Sequence, residues 1–134
     1  MTTTRRGLLD TSVLIANESG RPLDTDALPL ESFISVITIA ELQAGLLAAR
    51  DTATRARRLA TLDSVSQLEP LPIDVAAAAR WATLRVRLAE QGRRINVNDL
   101  WIAAVAAANS LPVVTQDSDY DPLEAVGGPE VIRV

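Results

Sequence analysis

The 134-residue chain contains no cysteine and no histidine, and all 13 of its basic residues are arginine. The first two absences remove thiol nucleophiles, Ser-His and Cys-His dyads, imidazole bases and Cys/His zinc sites together. The lack of lysine excludes Schiff-base chemistry and a P-loop lysine. Long apolar runs are missing too: hydrophobic residues make up 48% of the chain, but Arg, Asp, Gln or Ser interrupt them before any stretch reaches bilayer-spanning length. Residues 1–7 lead into only Leu8 and Leu9 before Asp10, too little for the apolar core of an export signal. A cytoplasmic protein that makes no use of a membrane is therefore expected.

Aromatics are few. Phe33, Trp81, Trp101 and Tyr120 cannot make base stacking the main grip on a nucleic acid. The net charge of -4 likewise argues against a general polyanion-binding surface, so any such contact has to come from local arginines. Arg55, Arg57 and Arg58 form one cluster, and Arg80, Arg87 and Arg94 are spaced seven apart; such rows are usually solvated helix faces. Arg93 and Arg94, just before Asp99, are the better candidates for phosphate contact.

What remains for chemistry is carboxylates, and the periodicity shows where they fall. Residues 7–10 read as a short buried strand ending in Asp10, followed by a helix over 11–17. The Gly- and Pro-containing segment 18–31 suits a surface loop. A second strand is expected at 33–35, then a helix from Ser35 or Thr38 to about Arg50 that carries Glu41, and another over 51–68. Residues 71–73 read as a short strand, and Asp74 caps a helix through Gln91, stopped by Gly92. Asn98 is the expected cap of a helix from Asp99 to about Asn109. Residues 113–115 are the most strand-like stretch, with Asp117 directly after it, and 131–134 offer an edge strand. The alternation predicts a single α/β domain over 1–134, with a mostly parallel central sheet flanked by helices, in which ligands collect outside the carboxyl ends of the strands.

Asp10 alone suits a helix cap, Glu41 a solvated helix residue, and Asp99 a first-turn acid favoured by the helix dipole. Together they stand at strand ends or on helices able to cover them, amid apolar neighbours where a charge is costly unless paired or metal-bound. An all-oxygen site selects Mg²⁺ or Mn²⁺ over zinc or copper.

Four segments resemble, in order, the acidic motifs of PIN domains, and most of all the VapC toxins of bacterial toxin-antitoxin pairs. They are Leu8-Leu9-Asp10-Thr11-Ser12, Ile34-Ser35 through Thr38 to Glu41-Leu42, Asn98-Asp99-Leu100-Trp101-Ile102, and Val113-Val114-Thr115-Gln116-Asp117 running on to Asp119 and Tyr120. The resemblance covers nearly the whole chain and is weakest over 18–31 and 51–68. It implies a Mg²⁺- or Mn²⁺-dependent endoribonuclease that hydrolyses structured RNA such as tRNA or rRNA through metal-activated water. Asp10, Glu41, Asp99 and Asp117 are its expected metal-binding and catalytic acids, with Asp119 next in line for the fourth place. Thr11 and Thr115 match the family's hydroxyl residues, expected to position water or phosphate. A cognate small antitoxin and a toxin homodimer are also implied, the antitoxin docking on the helix pair around Glu41 and Leu46. The alternative is a noncatalytic PIN-like module that binds protein or RNA. Receiver and haloacid-dehalogenase readings fail on the missing lysine and on Ser12, which stands where a second Asp would be needed. Replacing Asp10 or Asp99 by Asn is expected to abolish cleavage without weakening the fold in chelator.

Overall fold

The computed structural model describes residues 4–134. Residues 1–3, the start of the segment read above for an export signal, lie outside the described residues. The elements are β1 (Arg6–Leu9), α1 (Thr11–Ser19), β2 (Glu31–Phe33), α2 (Val36–Leu47), α3 (Thr52–Ser64), α4 (Val75–Glu90), α5 (Val97–Ala108), β3 (Val113–Thr115), a 3-10 segment (Ser118–Val126) and β4 (Val131–Arg133). All strand pairs are parallel, in the order β2-β1-β3-β4. The expected parallel α/β architecture is present. No helix among the described residues is long and apolar enough to cross a membrane.

Strand alternation builds two cores from one sheet. Leu8 and Val113 join Leu84, Leu88, Leu100, Ile102 and Val105 on the α4–α5 side. Their neighbours Leu9 and Val114 join Val13, Ile34, Leu42 and Val65 on the α1–α2–α3 side. With both faces covered, the central strands β1 and β3 read as near-continuous apolar runs, and period 2 decides which core each residue enters.

Helix ends differ from expectation by two to four residues, with α1 running on to Ser19, α2 stopping at Leu47 and α3 at Ser64, and three further differences have a local reason. The second strand lies two residues earlier, because Ser35 serves as the cap of α2 and accepts the Thr38 N–H at 3.3 Å. The strand expected at 71–73 is a single bridge between Leu71 and Ser35. Pro70 and Pro72 flank Leu71, and neither has an N–H with which to extend a ladder. The cap of α5 is Asn96, not Asn98, whose own N–H donates to Asn96 Oδ1 at 2.9 Å. The helix thus starts two residues early and holds Asp99 in its first turn. The stop at Gly92 is as expected, with φ at 65°.

The sheet order also fixes where a site can form. From β1 the chain crosses to β2 on one side, and from β3 it crosses to β4 on the other. The carboxyl ends of β1 and β3 therefore flank a topological switch point, the crevice where parallel α/β sheets bind ligands. Asp10 follows β1 directly, and Gln116 and Asp117 follow β3.

Candidate active site

Asp10 is 2% exposed yet ionisable, and three neutral donors surround it. Tyr120 Oη donates to Oδ1 at 2.8 Å, Thr115 Oγ1 to Oδ2 at 3.0 Å, and the Ser12 N–H to Oδ2 at 3.3 Å, the last being the capping bond of α1. Asp10 is thus both a cap and a member of the cluster. An ionised carboxylate offers about four lone-pair sites, so capacity for one more partner remains.

The Thr115 hydroxyl is fully engaged. Having donated to Asp10, it accepts the Asp117 N–H at 2.9 Å, and the Ser12 hydroxyl 3.2 Å away must then be the donor to it. Ser12 Oγ in turn accepts the Gln116 N–H at 3.0 Å. These bonds tie the end of β3 to the start of α1. Thr115 is fully buried, so it orients Asp10 and Asp117 instead of facing water or phosphate as expected. Thr11 is engaged similarly. Its hydroxyl donates to Glu41 Oε1 at 2.7 Å, so the buried Thr38 hydroxyl at 3.0 Å, one turn before Glu41 on α2, is the donor to Thr11.

Tyr120 joins the two halves of the site. Its hydroxyl reaches Asp10 Oδ1 and, at 3.2 Å, Asp99 Oδ1. Burial and the two neighbouring carboxylates push its own pKa far above the ordinary 10, so it keeps its proton and acts as a donor. One proton serves both acids fully only if Asp99 is itself protonated and donates to Tyr120.

Asp99 meets that condition only below about pH 6, its pKa being pushed up to about 6. Burial is the main cause, followed by the charge of Asp10; Glu41 and Asp117 add to it, and the Tyr120 bond opposes it. Desolvation and like charge together outweigh any help from the N-terminal dipole of α5, which is worth at most about 2 kcal/mol at a partly buried position. Asp117 is raised as well, first by burial and then by Asp10 and Asp119, with Arg133 and Arg21 opposing. It heads the 3-10 segment without using its side chain as a cap. Asp119 is exposed, and Asp121 faces Arg133 at 3.7 Å.

Of the four expected acids, Asp10, Glu41 and Asp117 all lie near enough to Asp99 for their charges to raise its pKa. Among the described residues no arginine lies within 4.0 Å of any of them. Nor do three of them already form a ligand set, since Tyr120 stands between Asp10 and Asp99 and Glu41 is held by Thr11. The donor set is oxygen only, which suits a hard divalent cation. The sequence alone does not single out Ser12, Thr38 or the Tyr120 hydroxyl as site groups, although all three lie inside the four motifs.

The PIN domain family model matches residues 7–126. The chain is 56% identical to Ribonuclease VapC5 of Mycobacterium tuberculosis over 133 residues, covering 99% of this chain and 98% of that one. The chain belongs to the PIN-domain family, among the VapC ribonucleases. A crystal structure of a member of the VapBC family of toxin-antitoxin systems, VapBC-5 of Mycobacterium tuberculosis, superposes with a TM-score of 0.90 at 53% identity, covering 96% of this chain and 98% of that chain. A more distant VapC relative, the tRNA(fMet)-specific endonuclease VapC of Shigella flexneri, is 35% identical over 96 residues, covering 71% of this chain and 69% of that protein.

The arginines separate by engagement. Arg58 donates to Gly45 O, Arg55 to Ala49 O and Arg57 to Thr54 Oγ1, so the cluster on α3 braces its own helix and α2. Arg87 donates to Val126 O at 3.1 Å. Arg93 and Arg94 are exposed, and among the described residues their guanidinium groups have no hydrogen-bond or carboxylate partner.

Proposed function

We propose that this chain is a Mg²⁺- or Mn²⁺-dependent endoribonuclease, the toxin of a toxin-antitoxin pair, acting in the cytoplasm on structured RNA such as tRNA or rRNA. The observation that carries the reading is Asp99, raised by burial and by the charges of Asp10, Glu41 and Asp117, with no arginine in contact. Such a cluster is costly unless it meets protons or a cation. Asp10, Asp99, Asp117 and Glu41 would hold the ion, with Asp117 favoured over Asp119 because Asp117 is the one among the causes that raise Asp99. When bound, the ion supplies Lewis-acid polarisation of the scissile phosphoryl group and a lowered pKa for an attacking water.

The chain's own residues do the rest. Tyr120, Thr115 and the Ser12 N–H fix the Asp10 carboxylate, and Thr38 acts through Thr11 to fix Glu41. Arg93 and Arg94 lie on the loop before α5 and serve as phosphate contacts. That the RNA is structured is supported by the name of the Shigella flexneri relative, which specifies tRNA(fMet).

Tyr120→Phe tests the positioning role. The Tyr120 bond lowers the Asp99 pKa in the wild type, so the variant should move the acid limb of the cleavage pH profile upward and cost on the order of 1 kcal/mol of stability. An unmoved limb would show that the hydroxyl does not steer Asp99.

The partner proposed is a cognate small antitoxin whose Arg or Lys enters the acid cluster. Its docking surface is the α1–α2–α3 side, where Ile15 (39%), Leu47 (80%) and Leu59 (45%) leave apolar surface exposed. The co-purified antitoxin should suppress cleavage, and Leu47→Glu should release that inhibition while leaving the free toxin active. Undiminished cleavage in the complex would contradict this assignment. A homodimer is also part of the proposal, with Val75 (87% exposed) at the start of α4 as apolar surface for the second copy. Sedimentation of Val75→Asp against wild type tests it.

A further inference from the structure

Outside the acid cluster, the feature that stands out in a chain of net charge -4 is a cleft without acids. A cavity of about 730 Å³ lies between α4 and the loop leading into α5. Its walls include Trp81, Arg85, Arg93, Arg94, Val97 and Leu100, and no Asp or Glu lines it. It shares Arg94, Ile95 and Asn96 with a second cavity of about 520 Å³, whose far wall is Ser118, Asp119 and Pro122. Ser118 and Asp119 directly follow Asp117, and Asn96 caps the helix that carries Asp99. The two cavities therefore lie side by side across Arg94, Ile95 and Asn96, and the path they outline starts next to the segment that follows Asp117.

Three arginines line this path, and none of their guanidinium groups has a hydrogen-bond or carboxylate partner among the described residues. Arg85 lies over the Trp81 ring, 5.5 Å from its centroid, which holds the side chain along the wall without using its N–H donors. Trp81 is in turn stacked on Trp101, with centroids 4.9 Å apart. The cleft thus presents unneutralised guanidinium groups, with Arg85 held along the wall by Trp81 and Arg93 and Arg94 exposed on the loop. Val86 and Val97 add exposed apolar surface to the walls, but an apolar helix seated there would leave three guanidinium charges without partners, whereas a chain of phosphates would pair them.

We propose that this cleft carries the RNA strand away from the carboxylate cluster, with Arg94 at the junction and Arg93 and Arg85 beyond it binding successive phosphates. The inference rests on the ribonuclease reading and adds the direction and the contacts of the bound strand. Asp119 at the mouth is the one acid on the path and repels a strand that strays from Arg94.

The test uses the full chain carrying Asp99→Asn, so that RNA is bound without being cleaved, and a labelled single-stranded RNA oligonucleotide followed by fluorescence anisotropy over a salt series. Adding Arg93→Ala with Arg94→Ala should raise Kd roughly tenfold at moderate salt and lower the log–log salt slope by about 0.7 for each phosphate that is no longer neutralised. Adding Arg85→Ala alone should remove one such step. A control pair, Arg50→Ala with Arg80→Ala, removes the same charge outside the cleft and should leave the slope nearly unchanged. Equal melting temperatures check that the variants fold alike.

Unchanged binding in the cleft variants would overturn the proposal, as would an equal loss of affinity in the control pair. It would also fall if the cleft variants kept their RNA affinity but lost antitoxin binding or self-association, since the cleft would then belong to a protein partner. Failure of the ribonuclease reading is seen separately, as RNA cleavage that survives Asp99→Asn in an otherwise wild-type chain.

Discussion

Asp99→Asn should lower RNA cleavage at least roughly a hundredfold, because even partners that merely orient a metal ligand are worth about 10- to 100-fold. The same substitution should stabilise the protein in chelator at pH 8. The folded Asp99 has its pKa pushed up from the ordinary 3.8 to about 6, so the native state holds more protons than the unfolded chain between those values. Its contribution is fully present below about pH 3.8 and is lost as pH rises through about 6. At pH 8 the ionised wild type lacks it, whereas the amide carries no charge and still accepts the Tyr120 hydroxyl. Two pK units correspond to almost 3 kcal/mol, and partial exposure of Asp99 reduces this to about 2 kcal/mol. Melting curves should therefore place the variant several degrees above wild type at pH 8, with the gap closing toward pH 4. Mg²⁺ should stabilise wild type more than the variant, because it binds the ionised cluster. A variant that melts lower at pH 8 would mean that Asp99 acts as a dipole-stabilised helix residue and nothing more.

Asp10→Ala should abolish cleavage to the same extent but reverse the effect on stability. Three donors, the Tyr120 and Thr115 hydroxyls and the Ser12 N–H, converge on this carboxylate at a position 2% exposed. Truncation leaves them without an acceptor, at about 1 to 3 kcal/mol for each buried group that finds no substitute. Tyr120 can still turn to Asp99, and relief of the charge repulsion offsets part of the loss, so a net cost of about 2 kcal/mol is expected. Asp10→Asn should be far milder. Its amide oxygen can keep the Thr115 and Ser12 donors while its NH₂ donates to Tyr120, whose proton then goes to Asp99. Comparing the two variants by denaturant midpoint in chelator separates the loss of charge from the loss of the acceptor. Equal destabilisation by both would refute this account of the network.

The positions of the acids are legible in the sequence because charged residues directly beside Leu8-Leu9 or Leu100, or a few residues past Val113-Val114, conflict with burial, and such conflicts mark candidate sites. The parallel sheet follows from the alternation of elements. The strand order and the hydroxyl network are not legible, because both depend on pairings distant in sequence. Ser12 meets Thr115 across 103 positions and Tyr120 meets Asp10 across 110, and no local period records either pairing. The cap of α5 falls at Asn96 and not at the expected Asn98 because the two are chemically equivalent candidates two residues apart. Thr11 and Thr115 stand out within the motifs, but their roles depend on which hydroxyl supplies each proton, something only the set of partners determines.

The central claim is that these four carboxylates form one metal-dependent centre for RNA hydrolysis. Its most direct test is cleavage of an end-labelled RNA by the purified chain over a Mg²⁺ titration, with the product ends identified. The account predicts no cleavage in chelator, saturable recovery with Mg²⁺ or Mn²⁺, and products bearing a 5′-phosphate and a 3′-hydroxyl. Cleavage that persists in chelator, or products ending in a 2′,3′-cyclic phosphate, would contradict it.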